Sequence, residues 1–251
     1  MTDNIDAVAH YHDIREAFTQ TGCPFCRLLT QAAGQHIDSL LWEMVNDPDI
    51  RYELNQARGY CHQHAWMLVR GGAALGVAIL MHDVVKTLLD VLKSHQLDSE
   101  SASVWTHLLN AFETDQKPAT RLIADLSPQT PCPICSGIQT IEEQYINTLL
   151  EHMSGPNSLS NVYQNSDGLC LPHFRRALTQ AKPAKNLKAL IEAQQAVWER
   201  LYADLGEFIR KNDYRYRREP FGTEADAWLR ALESISGASP SEHKTGLTQS
   251  I

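Results

Sequence analysis

Six cysteines and two histidines of this 251-residue chain stand in one pattern that occurs twice. The first copy reads Cys23-Pro24-Phe25-Cys26 and then Gly59-Tyr60-Cys61-His62-Gln63-His64. The second reads Cys132-Pro133-Ile134-Cys135 and then Gly168-Leu169-Cys170-Leu171-Pro172-His173. In both, 35 positions separate the second cysteine from the third, and every motif residue recurs after 109 positions. Three thiolates and one imidazole form a structural zinc shell. Sulfur donors also suit an iron–sulfur cluster and suit calcium or magnesium poorly. Four protein ligands leave no open position for water, so such a site is structural rather than hydrolytic. The expectation is one ion per copy, two zinc ions per chain. Cys23, Cys26, Cys61 and His64 would hold one, and Cys132, Cys135, Cys170 and His173 the other.

Competing readings of the same residues are weaker. A Cys-x-x-Cys pair at a helix start can activate a thiol for redox work, but the βαβ pattern of such proteins is missing here. Buried core cysteines need not recur in register. His62 competes with His64 as a ligand, yet Leu171 stands at the matching place in copy two.

The register extends between the motifs. Gln35 matches Gln144, Ile37 matches Ile146, Leu40-Leu41 matches Leu149-Leu150, and Met44 matches Met153. This is an internal duplication. The elements that must position the ligands read as helices throughout. Ile5, Val8, Tyr11, Ile14 and Phe18 mark a first helix. A second runs from the cysteine pair to about Val45, with Leu28, Leu29, Ala32, Ala33, Ile37, Leu40, Leu41 and Met44 facing inward. Asn46-Asp47-Pro48 stops it and starts a third, which ends near Gly59. A fourth begins at Cys61, and Gly71-Gly72 breaks the chain before a long helix through Leu92. Copy two repeats this order and ends in a helix from about Lys185 to Lys211. In Cys-Pro-x-Cys the first cysteine suits the N-cap, proline suits N1, and the second cysteine falls at N3. Both sulfurs then face free N–H groups and the positive end of the helix dipole, which favours thiolate.

The expected fold is therefore all-α: a duplicated multi-helix unit with two Cys3His sites and a C-terminal helical extension. The first repeat covers 1–113, a linker 114–131, and the second repeat 132–212. A basic and aromatic segment with a short helix covers 213–237, and a polar tail covers 238–251 and is expected to be disordered. The halves are expected to pack through their long helices, along Val77, Met81, Val84, Val85, Leu88 and Leu92 in one and Leu187, Leu190, Ile191, Val197, Leu201 and Leu205 in the other. In the extension, Thr223 reads as an N-cap with Asp226 at N3, and Trp228, Leu229 and Leu232 as the apolar side. Arg215, Arg217 and Arg218 around Tyr214 and Tyr216 form a candidate anion site; the bland alternative is pairing with the chain's own acids.

The motif pair, together with the segment from Asp213-Tyr214-Arg215 through Trp228 to Gly237, resembles an uncharacterised bacterial family carried under a domain-of-unknown-function label. The resemblance spans about residues 8 to 237. It implies a helical, cysteine-rich bacterial protein and brings no activity.

The net charge of −8 opposes a nucleic-acid partner. The first residues lack a signal-peptide pattern and no apolar run is long enough to span a membrane, which points to the cytoplasm. No Ser-His-Asp order, P-loop, nucleotide fingerprint or His-Glu-x-x-His helix is present. Glu142-Glu143 reads as the beginning of a helix, serving its dipole. The favoured function is a zinc-binding scaffold for a protein or small-molecule partner, without catalysis. The alternatives are an iron–sulfur or thiol redox protein, and an enzyme with its site between the two repeats.

Overall fold

The computed structural model describes residues 2–100, 118–182, 184–216 and 218–239. Among them the fold is all-helical, with no strand. Copy one contains α1 (Thr2–Ala17), α2 (Pro24–Glu43), α3 (Pro48–Gln56), α4 (His62–Met67) and α5 (Ala74–Glu100). Copy two contains α6 (Pro118–Leu126), α7 (Pro133–Glu151), α8 (Ser160–Gln164), α9 (Leu171–Gln180) and α10 (Ala184–Lys211). The extension adds α11 (Ala227–Ser236).

Local chemistry explains the helix ends. Pro24 and Pro133 open α2 and α7 at the first helical position, which leaves Cys23 and Cys132 as the residues before them. Asp47 caps α3: its side chain accepts from the Asp49 and Ile50 backbone N–H groups, with Pro48 next in line. Gly59 and Gly168 take positive φ, 102° and 66°, in the turns that lead into Cys61 and Cys170. Those two cysteines are the N-caps of α4 and α9, with ψ near 160°.

The segment expected to be a linker carries α6. Its last residue, Leu126, stands 109 positions after Ala17, the last of α1. So the duplication reaches further upstream than the cysteines, and α6 is the counterpart of α1. It is anchored by Arg58, whose guanidinium donates twice to the Asp125 carbonyl at 3.1 and 2.8 Å.

The helices group into two compact units. One comprises residues 33–138, the other residues 1–32 with 139–251. The dividing lines fall within α2 and α7, so each unit draws on both copies. In the 33–138 unit, α5 packs on α3 and α6 around Ile37, Leu40, Leu54, Leu68, Leu80, Val84 and Ile134. In the other, α10 packs on α8 and α11, and Ile14, Phe25, Ile146, Leu149, Tyr163, Leu169 and Leu190 are buried. Two stripe expectations need correction at their edges. Val85, Leu92 and Ile191 lie exposed, because the buried seams follow Leu80–Val84 and Leu190–Ala193–Val197 instead.

The C-terminal helix starts at Ala227, not just after Thr223. Residues 223–226 are held as turns, because Glu224 accepts from the Gly222 N–H at 2.9 Å and from Lys211 at 2.6 Å. Its buried side is Ala227, Glu233 and Ser234, while Trp228 and Leu232 are exposed. Of the expected tail, residues 240–251 lie outside the described ones.

One buried polar network fixes the turn before Cys170. The Gln194 side-chain oxygen accepts from the Leu169 N–H at 3.2 Å and from the Tyr163 hydroxyl, and both Tyr163 and Gln194 are buried. Removing the acceptor strands the buried Tyr163 hydroxyl and leaves the Leu169 N–H only its longer bond of 3.4 Å to the Tyr163 oxygen. Gln194→Leu is expected to destabilise this unit by about 1–3 kcal/mol, read as a lowered urea midpoint with unchanged slope.

Candidate metal centres

All eight expected ligands are brought into two clusters, but the partners are exchanged between copies. Cys23 and Cys26 meet Cys170 and His173; Cys61 and His64 meet Cys132 and Cys135. Within each cluster the donor atoms all lie within 4.8 Å of one another. The grouping by copy is thus overturned: each cluster takes two ligands from each copy. Helix length gives the physical reason. From Cys26 to Glu43, α2 carries the chain about 26 Å, and the nine residues of α3 return only about 13 Å. The third cysteine of a copy is therefore delivered to the helix start of the other copy.

In the first cluster, His173 Nδ1 lies 3.5 Å from Cys23 Sγ, 3.5 Å from Cys26 Sγ and 3.1 Å from Cys170 Sγ, and Cys26 and Cys170 are 3.7 Å apart. In the second, His64 Nδ1 lies 3.3 Å from Cys61 Sγ, 3.7 Å from Cys132 Sγ and 3.3 Å from Cys135 Sγ, with Cys61 and Cys135 at 3.6 Å. For a tetrahedral zinc with sulfur at about 2.3 Å and nitrogen at about 2.0 Å, the expected edges are about 3.8 Å between sulfurs and about 3.5 Å from sulfur to nitrogen. The sulfur–nitrogen distances and the Cys26–Cys170 and Cys61–Cys135 edges are close to these values, and the remaining edges are no longer than 4.8 Å.

Electrostatics push the neighbouring thiols in opposite directions. Burial pushes the Cys23 thiol well above its usual range, and the neighbouring sulfurs push the same way. Hydrogen bonding from Cys170 and Cys23 pulls Cys26 far down. Burial would lower His173, but bonds to Cys170 and Cys26 raise it to about 9. In the second cluster burial raises Cys135 to about 12; at Cys61 the His64 N–H and the Cys135 thiol outweigh burial and lower it. Three sulfurs this close cannot all carry charge without a cation among them.

One residue behind the first cluster was misread from sequence. Glu142 does not sit at a helix start; it lies mid-way along α7, buried, and accepts from Arg176. Its other oxygen has no hydrogen-bond partner and lies 3.6 Å from His173 Nε2. A carboxylate facing the outer nitrogen of a ligating imidazole fixes its tautomer and ring orientation. The signal for it was Arg176 one helical turn past His173, but nothing in the sequence linked that turn to α7.

The turns flanking this cluster also fit a structural role. Gly22, at φ 80°, donates to the Asp167 carboxylate at 2.7 Å. A cavity of about 270 Å³ nearby is lined by Thr19, Asn165, Asp167, Arg200 and Arg230. Its charged groups serve the chain itself: Arg200 caps the Gln164 and Ser166 carbonyls, and Arg230 pairs with Asp204 and Asp226.

Of the candidate anion-binding arginines, Arg215 pairs with Asp213 at 2.8 Å and lies 5.6 Å from the Tyr216 ring; Arg218 is exposed; Arg217 lies outside the described residues. Neighbouring Arg210 stacks on Tyr216 and bridges Glu207 and Glu219. Lys211 holds Glu224 down to about 2, helped by the Gly222 N–H. That carboxylate's contribution is complete above the ordinary carboxylate range and is lost as pH falls toward about 2.

A family model described as a family of unknown function (DUF6062) matches residues 9–242. An uncharacterized 23.9 kDa protein of the xynA 3′ region of Caldicellulosiruptor sp. (strain Rt8B.4) is 22% identical over 223 residues, covering 88% of this chain and 98% of that protein. No solved structure matches the chain.

Two outcomes follow. Glu142→Gln should weaken metal binding at the first cluster about 10- to 100-fold and leave the second unchanged, measured by competition against a chromophoric chelator. Acidification below pH 4 should loosen the 213–237 segment in wild type more than in Glu224→Gln, followed by Trp228 fluorescence in a background where the other four tryptophans are replaced by phenylalanine.

Proposed function

This chain belongs to the DUF6062 family of unknown function, and we propose that it is a zinc-held helical scaffold without catalytic chemistry. Each ion is held by three cysteines and one histidine. One is bound by Cys23, Cys26, Cys170 and His173, the other by Cys61, His64, Cys132 and Cys135. The observation that carries the reading is the pair of Cys3His donor sets, each gathered within 4.8 Å, small enough to share one ion. Zinc is favoured over a polynuclear iron–sulfur cluster, because a cluster places its cysteines on different irons and spreads them further apart than a single ion does. Soft thiolates with one imidazole also argue against a hard cation.

A shell filled by protein donors leaves no position for substrate, so the ions would supply folding energy rather than a reaction. The work would lie in presenting helices to a protein or small-molecule partner. The arginines of the extension are read as structural, since Arg215 and Arg210 already have carboxylate partners. No helix among the described residues is long and apolar enough to cross a membrane.

Elemental analysis of protein purified without added metal tests this. Two zinc equivalents and a colourless spectrum are expected. Cys26→Ser and Cys170→Ser, alone or together, should remove the same single equivalent, whereas Cys26→Ser combined with Cys61→Ser should remove both. A brown protein, or loss of two equivalents from the Cys26/Cys170 pair, refutes the assignment.

A further inference from the structure

The two centres share a ligand set but not their surroundings. In the first, Cys23 and Cys170 are 5% and 1% exposed, and Cys26 alone is half-buried. In the second, Cys61, Cys132 and Cys135 are all only half-buried. The histidines do not separate the centres, since both are shielded; the sulfurs do.

Two further features protect the first centre alone. The chain leaving α11 lies over its sulfurs: the Ala238 N–H points at Cys26 Sγ at 3.4 Å, and a Cβ added at Gly237 would stand 3.4 Å from the same sulfur and 3.9 Å from that of Cys170. An N–H donor at a thiolate lowers its tendency to leave the ion. Behind the imidazole stands the Arg176–Glu142 pair. At the positions 109 residues earlier, the second centre has Met67 and Ala33, neither of which can accept from an imidazole N–H.

We propose that the Cys61–His64–Cys132–Cys135 centre is an exchangeable zinc site, able to pass its ion to a thiol- or imidazole-bearing acceptor, while the other centre retains its ion. The inference rests on the zinc reading above. Exchange proceeds by ligand substitution. A thiolate or imidazole of the acceptor forms a bond to the ion as one cysteine–ion bond breaks, the substitution repeats until all four protein bonds are replaced, and the released thiolates take up protons given up by the acceptor's thiols or by solvent. No electron is transferred. Access to the sulfurs sets the rate, because the incoming donor must approach between them.

Mixing the two-zinc protein with excess 4-(2-pyridylazo)resorcinol at neutral pH tests the proposal. One equivalent is expected to leave at least about tenfold faster than the other. The fast phase should vanish in Cys61→Ser and persist in Cys26→Ser. Should either variant fail to fold, maleimide labelling of the wild-type holoprotein with peptide mapping decides the same point: Cys61, Cys132 and Cys135 should be modified before Cys23, Cys26 and Cys170. A single release phase, or early labelling at Cys23 and Cys170, overturns the proposal while leaving two bound zinc ions in place. Protein isolated without metal overturns the zinc reading itself.

Discussion

Two helix starts from opposite copies converge on one point, twice, and the rest of the structure is arranged to allow it. Cys26 and Cys170 are separated by 144 residues, and Cys61 and Cys135 by 74. An ion at each point would close these as large loops, restricting the unfolded chain more than a link inside one Cys-x-x-Cys turn can. The sulfurs also need the ion. Burial raises Cys23 and Cys135, while hydrogen bonds from neighbouring sulfurs pull Cys26 down and, with the His64 N–H, lower Cys61, so thiols of one cluster are pushed in opposite directions. A divalent cation removes that conflict by binding the deprotonated form of every cysteine at once.

The helical class, the duplication and the residues that gather into the two Cys/His clusters were legible in the sequence. Proline after the first cysteine, Asp47 before Pro48, and glycines before Cys61 and Cys170 act through local backbone chemistry, and local chemistry survives translation from sequence to fold. The pairing of the ligands was not legible. With identical 35-residue spacings in the two copies, grouping within a copy and grouping between copies satisfy the pattern equally. Only the reach of α2 and α3 distinguishes them, and that is a property of the folded path.

Other misreadings share this cause. Glu142 had the look of a helix-start acid until α7 proved to begin nine residues earlier, at Pro133, and to turn the side chain toward His173. The role of residues 237–238 as a lid over Cys26 depends on a contact spanning 212 residues, for which sequence periodicity carries no signal. The start of α11 failed because Thr223 offered a good cap, while Lys211 and Gly222 had already committed Glu224 to a turn.

The exchange of ligands between copies is the claim on which the account stands, and it can be observed through bonds. In cadmium-substituted protein, correlation between each metal nucleus and the cysteine β-protons identifies the residues on each ion. One cadmium is predicted to couple to Cys23, Cys26 and Cys170, and the other to Cys61, Cys132 and Cys135. A cadmium coupled to Cys23, Cys26 and Cys61 together would contradict it.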